Sequence, residues 1–430
     1  MKTTILLDHE PVPQGHVVRA LLRLEGDVAA SGHRRPLNIS LALDRSGSMA
    51  GPKLVAARQA AAQLVRRIAP ADVASVVAFD DQVAVVAPPA AGAAQADLPR
   101  RIEQIESGGS TNLSGGWLRS REFVSDGLLV EGVNRVLLLT DGRANVGITD
   151  RDALVGLCTR ARAHGISTTT IGFGADYDED LLRAMAEAGG GNTFYIEAPD
   201  QAAAIFADEL EGLFGMSAQN LRVTIVAAPA VTLAAVHHEY PRSTGPDGAL
   251  GLDLGDLYAR EPKALLCEFL VGALAGSETI EVARLLVTAD VITAEGIDHR
   301  TIALPISASL AEGPRVDAEV RRELLLLESA RARRDAVRAQ RAGDYDTAHT
   351  LLATMEARLR ASDYAGDVQV AEDAADLQLV AEQIGAGPAA EPDLKYLQQR
   401  AYNRASSRAL KDELIRRQRR APKPEPDPKP

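Results

Sequence analysis

Leu37-Asn38-Ile39-Ser40-Leu41-Ala42-Leu43-Asp44-Arg45-Ser46-Gly47-Ser48 decides the fold of this 430-residue chain. Residues 37–43 read as a continuous, largely apolar strand, followed directly by a polar turn. Residues 52–68 then show helical spacing, with apolar side chains at Leu54, Ala57, Ala61, Leu64, Val65 and Ile68. A strand that is apolar on both faces must be covered on both faces, which is the situation of a parallel sheet between helices.

The alternation continues downstream. Strands are expected over 72–79, 83–86, 135–140, 167–171 and 193–196, and helices over 97–106, 113–124, 151–164, 178–188 and 201–214. Residues 36–215 therefore read as a doubly wound, mostly parallel α/β domain. Residues 1–35 hold two strands (3–7 and 16–24), and residues 216–312 hold six more, cut by Pro, Gly and Asp clusters. Together these predict an added β-sandwich into which the α/β domain is inserted. From 313 to 420 the chain becomes rich in Ala, Arg, Glu and Leu, and helices are expected over 317–341, 346–360, 367–384 and 394–420. Residues 421–430, APKPEPDPKP, read as an extended, disordered tail.

Three segments carry hard oxygen donors: Asp44-Arg45-Ser46-Gly47-Ser48, Gly108-Gly109-Ser110-Thr111-Asn112 and Thr140-Asp141-Gly142. The first and third follow strands directly. Ligand sites of open parallel sheets form outside the carboxyl ends of the strands, so the fold brings both aspartates together. All the donors are oxygens, which suits Mg²⁺, with Mn²⁺ or Ca²⁺ as alternatives, and disfavours zinc.

Asp44-x-Ser46-x-Ser48, Thr111 and Asp141 resemble the metal-ion-dependent adhesion site of von Willebrand factor type A domains, and the element order over 36–215 is similar to that family. The resemblance implies that Ser46 and Ser48 ligate the cation directly, with Thr111 joining when a ligand is engaged. It implies that Asp44 and Asp141 act largely through coordinated waters, and that one position is left for a partner's Asp or Glu. Arg45, Gly142 and Arg143 form the expected rim for that partner, with Asn145 and Trp117 near it in sequence and core packing as the alternative for Trp117.

Other chemistries fare worse. Neither loop serine lies in G-x-S-x-G, position 177 is Tyr where the Gly172-Phe173-Gly174 turn would need glycine, and no P-loop occurs, so no enzyme is expected. His237-His238-Glu239 reads as a surface cluster, the acidic 176–180 loop as helix N-terminal charge, and the basic residues of 394–420 as a solvated helix face. A net charge of −12 argues against nucleic acid and anionic membranes as partners. The two cysteines, Cys158 and Cys267, are expected to be buried and reduced, and the N-terminus does not read as a secretory signal. These features imply a bacterial, cytoplasmic module that binds a protein partner through the cation. The second expectation is a non-catalytic regulatory or adaptor subunit of an ATPase, chelatase or kinase signalling complex.

Overall fold

The computed structural model describes residues 1–416 except 14, 28–33, 93–95, 246–247, 260, 273–278, 294, 310–312, 386–387, 409–410 and 413–415. The tail expected over 421–430 and the basic residues Arg417, Arg419 and Arg420 lie outside the described residues. The chain opens on a hairpin of β1 (Lys2–Val12) and β2 (Gly15–Glu25), paired from Lys2↔Glu25 to Val12↔Gly15. Both strands are longer than their apolar cores suggest, because the ladder runs on through polar residues that have a cross-strand partner.

The α/β part follows as β3 (Leu37–Asp44), α1 (Pro52–Arg66), β4 (Val73–Phe79), β5 (Val83–Ala91), α2 (Leu98–Glu103), α3 (Leu113–Asp126), β6 (Val133–Thr140), α4 (Arg151–Ala163), β7 (Ile166–Phe173), α5 (Glu179–Ala188), β8 (Gly190–Ile196) and α6 (Ala202–Phe214). Its sheet has the order β5-β4-β3-β6-β7-β8 and is parallel except for β5. β3 and β6 are buried throughout. Val136 and Leu138 join the core shared with α3, α4 and α5, whereas Leu137 and Leu139, pointing the other way, are buried too. Helices on both faces account for strands buried along their whole length, and the polar residues of β3 are bonded inside: Asn38 Nδ2 donates to Val124 O at 2.9 Å and Ser75 Oγ to Ser40 Oγ at 2.8 Å. Trp117 belongs to the interior and not to a rim: it is fully buried and its Nε1 donates to Thr168 Oγ1 at 3.1 Å. Cys158 is buried in the same core, and burial pushes its thiol up to about 12.

Seven further strands follow: β9 (Met216–Ala227), β10 (Val231–Val236), β11 (Arg242–Thr244), β12 (Leu250–Tyr258), β13 (Lys263–Gly272), β14 (Ile280–Ile292) and β15 (Ile297–Ala308). They form sheets of order β1-β2-β13-β10 and β11-β12-β9-β14-β15 around one apolar core. β13 pairs with β2 from Lys263↔Leu24 to Gly272↔Gly15, so the N-terminal hairpin is an integral part of this sandwich. Gly15 has φ +138°, and a side chain there would overlap the Val271 carbonyl. β11 carries no apolar alternation, which is why the sequence does not announce it.

The described residues of 237–239 and from 321 onward form a second compact unit. Its helices are α7 (Ala318–Arg341), α8 (Tyr345–Ala361), α9 (Val368–Gly385) and α10 (Glu391–Ala405), packed around Leu326, Val337, Leu352, Leu359, Leu377 and Leu397. Three expectations are corrected here. The fourth helix stops at Ala405 and does not run to 420, because Ser407 adopts a left-handed φ of 55° and Arg408 N bonds back to Asn403 O. Its basic residues are not a solvated face, since Lys395, Arg400, Arg404, Arg408, Lys411 and Arg416 are buried. The reason is a set of interior carboxylates: Arg400 pairs with Asp373, Asp376 and Asp412, and Arg333 with Asp373. His238 is likewise buried and not on the surface, with Nε2 at 3.5 Å from Glu323.

These carboxylates predict acid sensitivity. Burial alone would raise Asp373, but Arg333, then Arg400 and Arg404, outweigh it and hold the group well below the ordinary carboxylate range. Burial alone would raise Asp412 as well, but the Arg400 guanidinium outweighs it and lowers the group. A folded-state value below the unfolded one of about 3.9 contributes stability that is present above that pH and lost as pH falls below it. Urea unfolding of the helical unit is therefore expected to become easier as pH falls below about 4. A stability that stays flat through that range would contradict the assignment.

Candidate metal centre

The carboxyl ends of β3 and β6 place Asp44 and Asp141 side by side, because β3 and β6 are adjacent parallel strands. Both carboxylates are 0% exposed. Asp44 Oδ1 accepts from Ser46 N at 2.8 Å, and Oδ2 accepts from Thr140 Oγ1. Ser46 Oγ lies 3.1 Å from Ser48 Oγ, and Ser48 Oγ donates to Asp141 Oδ1 at 2.6 Å. Thr111 reaches the same spot from the loop before α3. A Cβ built on Gly142 would meet Thr111 Oγ1 at 3.0 Å and Ser48 Oγ at 3.8 Å. All five donor residues thus converge, with Asp44, Ser46, Thr111 and Asp141 buried and Ser48 open to solvent.

The three loops are held to each other by main chain. Gly47 N donates to Gly109 O at 2.8 Å, Gly108 N to Arg45 O at 2.7 Å, and Asn112 N to Asp80 O at 2.7 Å. Asp80 is the hub, since its carboxylate also accepts from Gln82 N and Gly109 N and pairs with Arg45 at 3.2 Å. Gly108 passes so close to Asp80 that any side chain would overlap Oδ2. Asn145 fixes Thr111 by accepting from its N–H at 2.8 Å, while Asn145 N and Val146 N donate to Thr111 O.

Electrostatically the floor of the site is anionic. Burial pushes the Asp44 carboxyl up to about 6, with repulsion from Asp141 adding to it and hydrogen bonds from Thr140 and Ser46 opposing it. Lys53 Nζ donates to Asp141 Oδ2 at 2.6 Å and is the only ion-pair partner of either carboxylate among the described residues. Two buried carboxylates facing three hydroxyls, with a lysine on Asp141 alone, form a hard-oxygen set suited to a divalent cation of the Mg²⁺ class. Arg45, expected at the rim, is turned to Asp80, whereas Arg143 is exposed and makes no ion pair among the described residues. The acidic 176–180 loop has a local use: Asp178 caps α5 by accepting from Leu181 N at 3.0 Å.

Sequence reasoning missed Lys53, Asp80 and the role of Thr140. Lys53 had a signal, because a cation in the first turn of α1 opposes the helix dipole and asks for an anion close by. The other two depend on which side chain a loop faces, and spacing does not report that.

Comparison with known proteins bears on the domain and the fold. Residues 38–208 match the von Willebrand factor type A domain. An uncharacterized protein of Synechocystis sp. is 28% identical over 344 residues, 77% of this chain and 81% of that one. The uncharacterized protein YfbK of Escherichia coli is 27% identical over 195 residues, 45% of this chain. Inter-alpha-trypsin inhibitor heavy chain H1 of Sus scrofa is 28% identical over 192 residues, 43% of this chain. The matched region spans 34% of YfbK and 21% of the heavy chain. Among solved structures, a von Willebrand factor type A protein from Catenulispora acidiphila superposes with a TM-score of 0.68 at 19% identity, covering 87% of this chain and 89% of that one. An ArnB paralog from Sulfolobus acidocaldarius gives 0.57 at 16%, covering 94% of this chain and 99% of that one. At that coverage the shared fold extends beyond the α/β part. Residues 38–208 of this chain form a von Willebrand factor type A domain.

Proposed function

We propose that this chain is a divalent-cation-dependent protein-binding module, with Ser46, Ser48 and Thr111 as direct ligands and Asp44 and Asp141 as supporting carboxylates. The observation that carries this reading is the convergence of three hydroxyls on two fully buried carboxylates, of which Asp141 alone has a lysine partner among the described residues. When bound, a Mg²⁺-class ion offers a coordination position to an external carboxylate, since it seeks six oxygens.

The rest is the work of the chain. Thr140 and Ser46 N orient Asp44, Ser48 and Lys53 divide the two oxygens of Asp141 between them, and Asn145 holds Thr111 in reach. Arg143, at the open side, favours an acidic segment over a neutral one. The partner is therefore a protein that presents Asp or Glu on an accessible loop. Two buried, unpaired cysteines and similarity to bacterial proteins support action inside a bacterial cell.

The test is affinity capture on the immobilised full chain from the cytoplasmic fraction of the native host, in Mg²⁺ and in chelator. Proteins retained in Mg²⁺ and lost both in chelator and on an Asp141→Ala column are the expected result. An ATPase, chelatase or kinase among them would make the chain that enzyme's adaptor. A set of bound proteins indifferent to both changes would overturn the reading.

A further inference from the structure

A second feature lies away from the carboxyl ends of the parallel strands. α4 and the end of α5 face the outer side of the five-stranded sheet across a groove of about 750 Å³. Its walls carry Arg162 from α4, Arg222 from β9, Arg242 from β11, Asp253 from β12 and Thr288 from β14. Antiparallel register sets Arg222 directly between Asp253 and Thr288, so the three side chains share one row on one face.

The charges in that row are unequally used. Arg162 spends its fork on Asp253, with one bond at 2.9 Å, and its Nε bonds Asn220 Oδ1 at 3.3 Å. Asp253 also accepts from Gly255 N at 3.1 Å, so its oxygens are taken. Arg222 and Arg242 make no hydrogen bond or ion pair among the described residues, although Arg222 lies cross-strand from Asp253; Arg242, cross-strand from Leu252, lines the same groove. His299, at the far side, is held by Asp290 at 2.8 Å. In a chain of net charge −12, two uncommitted guanidiniums at one concave surface are a local reversal of sign.

We propose that this groove binds a small molecule carrying a phosphate or carboxylate group, gripped by Arg222 and Arg242. Arg162, already fixed by Asp253, acts as a wall and not as a ligand. Guanidinium forks match planar or tetrahedral oxyanions and make charge-assisted hydrogen bonds to them. Thr288 adds a hydroxyl, and Val155, Ala184 and Pro241 provide apolar surface for the body of the ligand. The volume accommodates a molecule of the size of a phosphorylated metabolite.

The experiment is calorimetric titration of the metal-free full chain with pyrophosphate and, separately, with citrate. Saturable binding of one of them by the wild type is expected, with pyrophosphate alone pointing to a phosphate ligand and citrate alone to a carboxylate ligand. Arg222→Gln and Arg242→Gln should each weaken it on the order of tenfold, and the double variant further. Both side chains are exposed and unpaired, so the melting temperature should not move, and circular dichroism checks this. Asp44→Ala should bind the anion like wild type, which separates this site from the cation site. No saturable binding of either probe, or equal affinity in the double variant, overturns the proposal.

Discussion

Asp44→Asn and Asp44→Ala are each expected to weaken Mg²⁺ binding about 100-fold or more while leaving the domain folded. Asp44 contributes formal charge at the floor of a site whose other near donors, Ser46, Ser48 and Thr111, are neutral. Removing it leaves Asp141 as the single carboxylate, and Lys53 already neutralises that one. Asparagine keeps the acceptor that Ser46 N uses, so a loss in that variant reports charge rather than shape. Alanine also strips Ser46 N and Thr140 Oγ1 of an acceptor, a cost of about 1–3 kcal/mol. The variant relieves a desolvated charge at the same time, which offsets part of that cost, so the fold should survive. Titration calorimetry with Mg²⁺, beside a melting curve, decides the matter. Cation affinity in Asp44→Asn equal to that of the wild type would remove the carboxylate from the site. A collapsed melting curve would make it a folding residue instead.

The parts of this molecule that sequence reveals are those where a one-dimensional pattern has a single physical solution. Residues 41–43 and 136–139 are unbroken apolar runs, and a sheet covered on both faces accepts such strands, so β3 and β6 could be read. Once those strands are fixed, the carboxyl-end rule places Asp44 and Asp141 together. What could not be read is which of several chemically equal partners a polar side chain selects. Arg45 and Arg143 look alike beside the site, yet one is turned to Asp80 and the other to solvent. The spacing of Lys395, Arg400, Arg404 and Arg408 fits a solvated face as well as an interior network. Much of the deciding clue was on another helix, in Asp373 and Asp376, and nothing in local periodicity connects them to Arg400. The end of α10 was hidden for a related reason, since a left-handed serine needs no glycine or proline to announce it.

The interior network also carries the largest expected effect on stability. Asp373→Ala should destabilise the helical unit by about 3–5 kcal/mol, the usual result of leaving a buried charge without its partner. Asp373 is 1% exposed and serves three donors. Its Oδ2 accepts from Ser329 Oγ at 3.0 Å and Arg333 Nη1 at 3.1 Å, and its Oδ1 accepts from Arg400 Nη2 at 2.8 Å. Arg400 would keep Asp376 and Asp412, so the main casualty is Arg333, which has no other ion-pair partner among the described residues. A guanidinium does not deprotonate to escape the interior, so the unit must open toward water or lose its packing. Replacing both partners distinguishes an unpaired charge from a damaged core. Asp373→Leu with Arg333→Met removes the charge pair and retains volume, and it should recover much of the loss. Urea unfolding followed by far-ultraviolet circular dichroism measures both variants. A single-variant loss under about 1 kcal/mol would mean that water already reaches Arg333. A double variant as unstable as Asp373→Ala would instead place the contribution in the hydrogen bond from Ser329 and in the third contact, to Arg400.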